Sequence, residues 1–243
     1  MADPRTLKAV FFDMDGVLVD VSGSYRRAIV ETAAHFIGRD VDPSLIQAYK
    51  NRGGFNDDWR LTHAIIRDHA VDVPFEDVVA DFQRRYRGDA WDGFICQEPA
   101  LIQTDVLERI RAGGRVAGVV TGRPDAEARW TLDRFGWTDL LPIVIAMEAQ
   151  NGRGKPDPYP LELALELTAA TGLAIDPREA AYVGDSVEDV LAARAAGMGS
   201  IGVVPPYLDA SHGDVLREKG AHVVVTDFSA LPDIIDRFFE LAD

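Results

Sequence analysis

Residues 9–18 read Ala9-Val10-Phe11-Phe12-Asp13-Met14-Asp15-Gly16-Val17-Leu18, and this stretch decides the fold. Four uninterrupted apolar residues predict a short buried strand. Asp13 and Asp15 follow at i and i+2, a spacing that in a strand turns both carboxylates to one face. Gly16 then allows the backbone to turn sharply. Two acids at the mouth of a core strand repel one another and are costly to desolvate, so they need a cation or a shared proton. The stretch points to a hard metal ion, to acid–base chemistry, or to both.

Downstream of residue 100, apolar runs and helical segments alternate. Strands are expected at 116–121, 143–146, 180–184, 200–204 and 223–226. Helices are expected at 124–135, 159–170 and 187–196, with a short one ending near Gly220 and a last one from about Leu231. Such alternation predicts βαβ units around a parallel, Rossmann-like sheet, with residues 8–12 as its first strand. The segment 21–98 breaks the rhythm and reads as helices only, at 24–36, 43–50, 57–69 and 75–87. Asp42-Pro43 reads as an N-cap followed by a first-turn proline. Asn56 is expected to cap the third helix, in which Trp59, His63 and Ile66 fit a 3.6-residue period. The expected organisation is therefore an α/β core, residues 1–20 and 99–243, carrying an α-helical cap, residues 21–98. Hinges are expected near residues 20–22 and 97–104.

Composition narrows the function. Hydrophobic residues make up 47% of the 243, enough for a real core. The net charge of −15 argues against nucleic acid and against anionic membrane surfaces as partners. The acidity fits plain solubility or a salt-adapted host. Cys96 is the one cysteine, so no internal disulfide can form. No apolar stretch approaches the ~20 residues of a membrane span, and no leader pattern precedes the first strand, so a cytoplasmic protein is expected. The oligomeric state stays open.

Ligands of an open parallel sheet bind at the carboxyl ends of its strands. Asp13 and Asp15 stand at the first such end, and Thr121-Gly122-Arg123-Pro124 at the second. Lys155 lies in the loop after the third, and Asp185-Ser186 ends the fourth, with Asp189 one helical turn on. Singly, each has an ordinary reading: Asp185 or Thr121 as a helix cap, Lys155 as a solvated loop lysine. Together they describe a reaction site, because a packing layer has no use for several acids, a hydroxyl and a lysine on one edge.

FFDMDGVLVD (11–20), VVTGRP (119–124), GKPDP (154–158) and VGDSVEDV (183–190) resemble the four ordered motifs of the haloacid dehalogenase superfamily of hydrolases. The resemblance covers essentially the whole chain. The helical insert resembles the cap of the subfamily that includes phosphoglycolate phosphatase and β-phosphoglucomutase. The resemblance implies a phosphatase acting on a small phosphorylated metabolite. Asp13 would be the nucleophile, forming an aspartyl-phosphate, and Asp15 the general acid and base. Mg²⁺ would be held by the Asp13 carboxylate, the Asp15 backbone carbonyl and the Asp185 carboxylate. Thr121 and the Gly122 N–H would hold the phosphoryl group, Lys155 would balance its charge, and Asp189 would support Lys155 or a metal water. An acid at position 15 implies P–O cleavage in place of the carbon–halogen or carbon–phosphorus cleavage of other branches, which makes Lys50 an unfavoured Schiff-base lysine.

Substrate choice is expected in the cap, since the core motifs see only the phosphoryl group. The segment 49–56, with Lys50, Arg52 and Asn56, suits a loop reaching over the site, or an ordinary interhelical turn. Ser22, Tyr25 and Arg26 are weaker candidates, and Arg123 would touch a substrate anion or pair with an acid. GGFNDDW (53–59) is similar to a small group of the subfamily linked to histidine biosynthesis, which makes histidinol phosphate a compound to test. Two rivals share these residues. A β-phosphoglucomutase-type phosphomutase would need a second phosphate site in the cap, which Lys50 and Arg52 could supply. A non-catalytic metabolite-binding protein would keep the scaffold without turnover.

Overall fold

The computed structural model describes residues 6–52, 55 and 57–242. In chain order, β1 (Ala9–Phe12) is followed by α1 (Tyr25–Ile37), α2 (Ser44–Arg52), α3 (Asp58–Asp68) and α4 (Phe75–Tyr86). Then come α5 (Thr104–Ala112), β2 (Val116–Val120), α6 (Asp125–Phe135), β3 (Ile143–Ile145) and α7 (Tyr159–Ala170). The chain ends with β4 (Ala180–Gly184), α8 (Val187–Ala195), β5 (Gly199–Val203), α9 (His212–Glu218), β6 (Val223–Val225), α10 (Leu231–Asp236) and α11 (Phe238–Leu241). Two compact units result, one of Met1–Asp20 with Ala100–Asp243 and one of Val21–Pro99.

The first unit is built on a six-stranded sheet ordered β3-β2-β1-β4-β5-β6. All strand pairs are parallel, with Phe12 level with Val119 on one side and Val183 on the other. Strands buried on both faces read as nearly continuous apolar runs, and β1, β4 and β5 are fully buried along their lengths. On one face Ala9, Phe11, Val120, Ile145 and Tyr182 pack with Leu161 and Ala164 of α7 and Ala192 and Ala193 of α8. Burying each large side chain there contributes roughly 1.5–3 kcal/mol. The connection runs β1 to β2 to β3, then crosses back to β4. The order therefore reverses between β1 and β4, which is where such sheets bind ligands.

The second unit holds α1–α4. Ala28, Ile29 and Ala33 of α1, Leu61, Ile65 and Ile66 of α3, and Val78 and Phe82 of α4 form its core. Tyr25 stacks on Tyr86 with ring centroids 4.0 Å apart, which places it in the packing of this unit. The buried face of α3 is Leu61, Thr62, Ile65 and Ile66, so of the expected Trp59–His63–Ile66 stripe Ile66 is buried and Trp59 and His63 are half-buried. Asp57 caps this helix, accepting from the N–H groups of Trp59 and Arg60, in the role expected of Asn56. Asn56 itself lies outside the described residues.

α5 is absent from the sequence reading, although Val106, Leu107 and Ile110 are its buried stripe. The Trp137 indole donates to Thr104 Oγ1 at 3.0 Å and anchors its start. Among the described residues, no helix is long and apolar enough to cross a membrane.

Candidate active site

Asp13 extends the ladder of β1 by one residue, its N–H donating to the Val183 carbonyl at 2.9 Å. The Met14 carbonyl then accepts from Leu18 and Val19 N–H, closing a tight turn. Gly16 sits in that turn at φ +74°, and a Cβ there would lie 2.3 Å from Asp185 Oδ2 and 2.8 Å from the Tyr207 hydroxyl. Only glycine meets both constraints, and it lets the loop after β1 lie against the acid at the end of β4.

The end of β4 is shaped by a capping box. Ser186 Oγ accepts from Asp189 N–H at 3.2 Å, while Asp189 Oδ2 accepts from Ser186 N–H at 2.9 Å and from its hydroxyl at 2.8 Å. This fold-back lays the Asp189 carboxylate on the strand end, where a Cβ on Gly184 would meet it at 2.6 Å or less. His212 contacts the Asp185 carbonyl through Nε2 at 2.6 Å and holds the same loop from α9.

Lys155 completes the cluster. Its Nζ lies 3.1 Å from Asp13 Oδ1 and 2.6 Å from Asp189 Oδ1. It also donates to the Tyr182 hydroxyl at 2.7 Å, and that hydroxyl donates in turn to the Val120 carbonyl at 2.7 Å. Asp13, Asp185 and Asp189 each offer a carboxylate oxygen within 4.8 Å of the others.

The electrostatics follow from burial. Desolvation pushes the Asp13 carboxyl up to about 7; Lys155 opposes this, and Asp189 and Asp15 add to it. Burial alone would lower Lys155, but Asp13, Asp189 and Tyr182 outweigh it and hold the ammonium well above its ordinary value. Tyr182 is raised well above its ordinary value by burial and by Asp13, so it stays a neutral hydroxyl. One lysine faces several carboxylates, and the set consists of hard oxygen donors. That combination fits a hard divalent cation such as Mg²⁺.

Thr121 is buried at the end of β2, its N–H donating to the Ile145 carbonyl at 2.9 Å and its carbonyl accepting from Gln150 at 2.6 Å. Gly122 beside it is exposed. The Asp15 carboxylate accepts from the buried Arg123 at 2.6 Å, so of the two readings of Arg123 its observed partner is an acid. In the helical unit, Lys50 pairs with Asp58 at 3.1 Å and the Arg52 guanidinium lies 4.7 Å over the Tyr49 ring. Tyr182, Tyr207 and His212 escaped the sequence reading. Tyr182 alone left a signal, as a polar tip inside an otherwise small, apolar strand.

Comparison with known proteins identifies the family and the fold. The sequence model of the haloacid dehalogenase-like hydrolases matches residues 7–197. An imidazoleglycerol-phosphate dehydratase of Phytophthora nicotianae is 37% identical over 241 residues. That match takes in 93% of this chain but 51% of the relative, so the chain spans about half of that relative's length. A phosphoglycolate phosphatase of Xylella fastidiosa is 32% identical over 203 residues, 82% of this chain and 80% of that one. A HAD-family hydrolase of Deinococcus radiodurans, crystallised with bound phosphate and sodium, superposes with a TM-score of 0.72. It covers 98% of each chain at 23% identity, a likeness of fold.

Proposed function

The chain belongs to the haloacid dehalogenase-like hydrolase family, and from that premise we propose that it is a Mg²⁺-dependent phosphatase of a small phosphorylated metabolite. The observation that carries this reading is Asp13, buried at the sheet's switch point, 3.1 Å from Lys155 and clustered with Asp185 and Asp189.

Asp13 attacks phosphorus through a carboxylate oxygen, and the P–O bond to the leaving alcohol breaks. Asp15 gives that oxygen its proton. It then takes a proton from the water that attacks the aspartyl-phosphate, which releases inorganic phosphate and restores Asp13. Lys155 keeps its proton and offsets charge on Asp13 and on the phosphoryl oxygens. Thr121 and the Gly122 N–H hold the phosphoryl group. The carboxylates of Asp13 and Asp185 and the Asp15 backbone carbonyl are the residues to hold Mg²⁺. Asp189 serves as support, being engaged by Lys155 and Ser186. When bound, the ion supplies neutralisation of the phosphoryl charge.

Two relatives guide the substrate. One is named for phosphoglycolate and the other for an imidazole-bearing phosphate ester. The aligned half of the second need not carry the activity in its name, so both ester classes belong in one panel. Lys50, Arg52 and Asn56 of the helical unit are proposed to select among them.

The test is phosphate release from p-nitrophenyl phosphate, phosphoglycolate and histidinol phosphate, with Mg²⁺ and with EDTA. Asp13→Asn should remove turnover with the fold intact, and residual activity above about one part in 10² would remove Asp13 from the nucleophile role. The phosphomutase alternative predicts dependence on a trace bisphosphate, and the binding-protein alternative predicts Mg²⁺ binding with no release from any ester.

A further inference from the structure

We propose that Arg123 is the positioning residue of the general acid and base, acting through Asp15; this rests on the phosphatase reading above. Its Nε and Nη2 both meet the same oxygen, Asp15 Oδ1, at 2.6 and 2.5 Å. The Arg123 side chain is 0% exposed, whereas Asp15 is 32% exposed. The cation of the pair is thus in the core and the carboxylate reaches toward the open edge. Nη1 donates to Thr131 Oγ1 of α6 at 3.1 Å. The backbone is fixed as firmly, with Arg123 N–H on Thr121 Oγ1 at 3.1 Å and its carbonyl accepting from Met147 N–H at 2.9 Å. Strand end and the turn after β3 hold the Arg123 backbone, and α6 holds its guanidinium.

A buried guanidinium is expensive unless a matched anion meets it. Asp15, the side chain whose placement matters most for proton transfer, is one anion that meets it here. A proton relay must come within hydrogen-bond reach of the leaving oxygen, and small misplacements cost orders of magnitude. With Oδ1 pinned by a rigid fork, rotation of the Asp15 carboxylate is restricted and Oδ2 is the oxygen left for the relay. A lysine ammonium is a point charge on a flexible stem and gives no such fork.

A residue acting through the acid has a signature that a structural anchor lacks. An alkoxide leaving group needs the proton from Asp15 in the transition state, while p-nitrophenolate leaves without it. The experiment compares kcat/KM for an alkyl phosphomonoester of the panel and for p-nitrophenyl phosphate, in the wild type, Arg123→Lys, Asp15→Asn and the double variant. Arg123→Lys should lose about 10²-fold on the alkyl ester and less than about 10-fold on the aryl ester. In the Asp15→Asn background the same change should cost less than about 3-fold. Thr131→Val, which removes only the Nη1 anchor, should show the same selective loss at smaller size. It serves as the test if Arg123→Lys fails to fold. Equal losses on both esters, or full loss in the Asp15→Asn background, would overturn the proposal while leaving the phosphatase reading in place. No release by the wild type from any ester would remove the phosphatase reading and this proposal together.

Discussion

Asp13 binds a proton more tightly in the folded chain than in the unfolded one, although Lys155 opposes it. Its pKa rises from 3.8 to about 7, first because burial removes water from the carboxylate. The folded state therefore holds the proton more strongly than the unfolded state. Its contribution to stability is full at low pH and is lost as pH climbs from about 4 through about 7. A divalent cation competes for the same oxygens, so its stabilising effect should grow across that window. The rise in Tm on adding Mg²⁺ should be small at pH 5 and larger at pH 8, and Asp13→Asn should flatten the difference. An equal rise at both pH values would break the link between Asp13 and the metal. Asp13, Asp185 and Asp189 are legible in sequence because each stands at a strand end or one turn beyond it, and Lys155 because it lies in the loop that leaves the same edge after β3. The pairing of Asp15 with Arg123 was left open, because those residues are 108 positions apart and sequence carries no distance between them. Tyr182 signals itself as a polar tip in a small, apolar strand, but its partners are hidden for a similar reason. Strand parity gives the face of its ring, but not that its hydroxyl reaches the Val120 carbonyl two strands away.

α8 couples a local capping device to the site. Ser186 satisfies the first turn of the helix and also holds the Asp189 carboxylate that meets Lys155. Ser186→Ala removes the hydroxyl but leaves the Ser186 N–H on Asp189 Oδ2. The lost cap should cost about 1 kcal/mol, a fall in Tm of about 2–4 °C for a chain of this size. The rate should drop by less than about tenfold, because Lys155 still anchors Asp189 at 2.6 Å. Calorimetry beside steady-state kinetics checks both figures. A rate loss above about 10² with little change in Tm would make Ser186 a contact of the reacting groups. Elements with long apolar patterns and clear ends were legible, and α7 occupies 159–170 as read. The start of α3 differs from the expected one by a residue, because Asp57 takes the cap. α5 has its buried stripe in the sequence but no place among the expected elements, which resume after the 97–104 hinge only at the 116–121 strand. The last helical stretch divides at Arg237 into α10 and α11, a break that no glycine or proline announces.

At the scale of the molecule, alternation of strand and helix predicted a parallel sheet but not its order. Order depends on pairings between distant segments, which handedness rules narrow without fixing. The order places β1 between β2 and β4, and this is what sets Thr121 and Asp185 on either side of Asp13. Charge is the other property of the whole chain. The excess of 15 negative charges repels itself in the compact state. Raising salt from about 0.05 to about 0.5 M shortens the screening length to well under ~10 Å and weakens that repulsion. It also weakens exposed ion pairs, among them Arg178–Asp176 at 2.7 Å and Arg217–Asp214 at 2.9 Å. Such pairs are each worth about 0–1 kcal/mol, and both join near neighbours in sequence, so their loss is the smaller effect. Tm at pH 7 should therefore rise with monovalent salt. Near the sequence pI of 4.7 the excess charge is gone, and the same addition should leave Tm unchanged or slightly lower. A Tm at pH 7 that falls with salt would show that the ion pairs, and not the net charge, dominate the electrostatics of this fold.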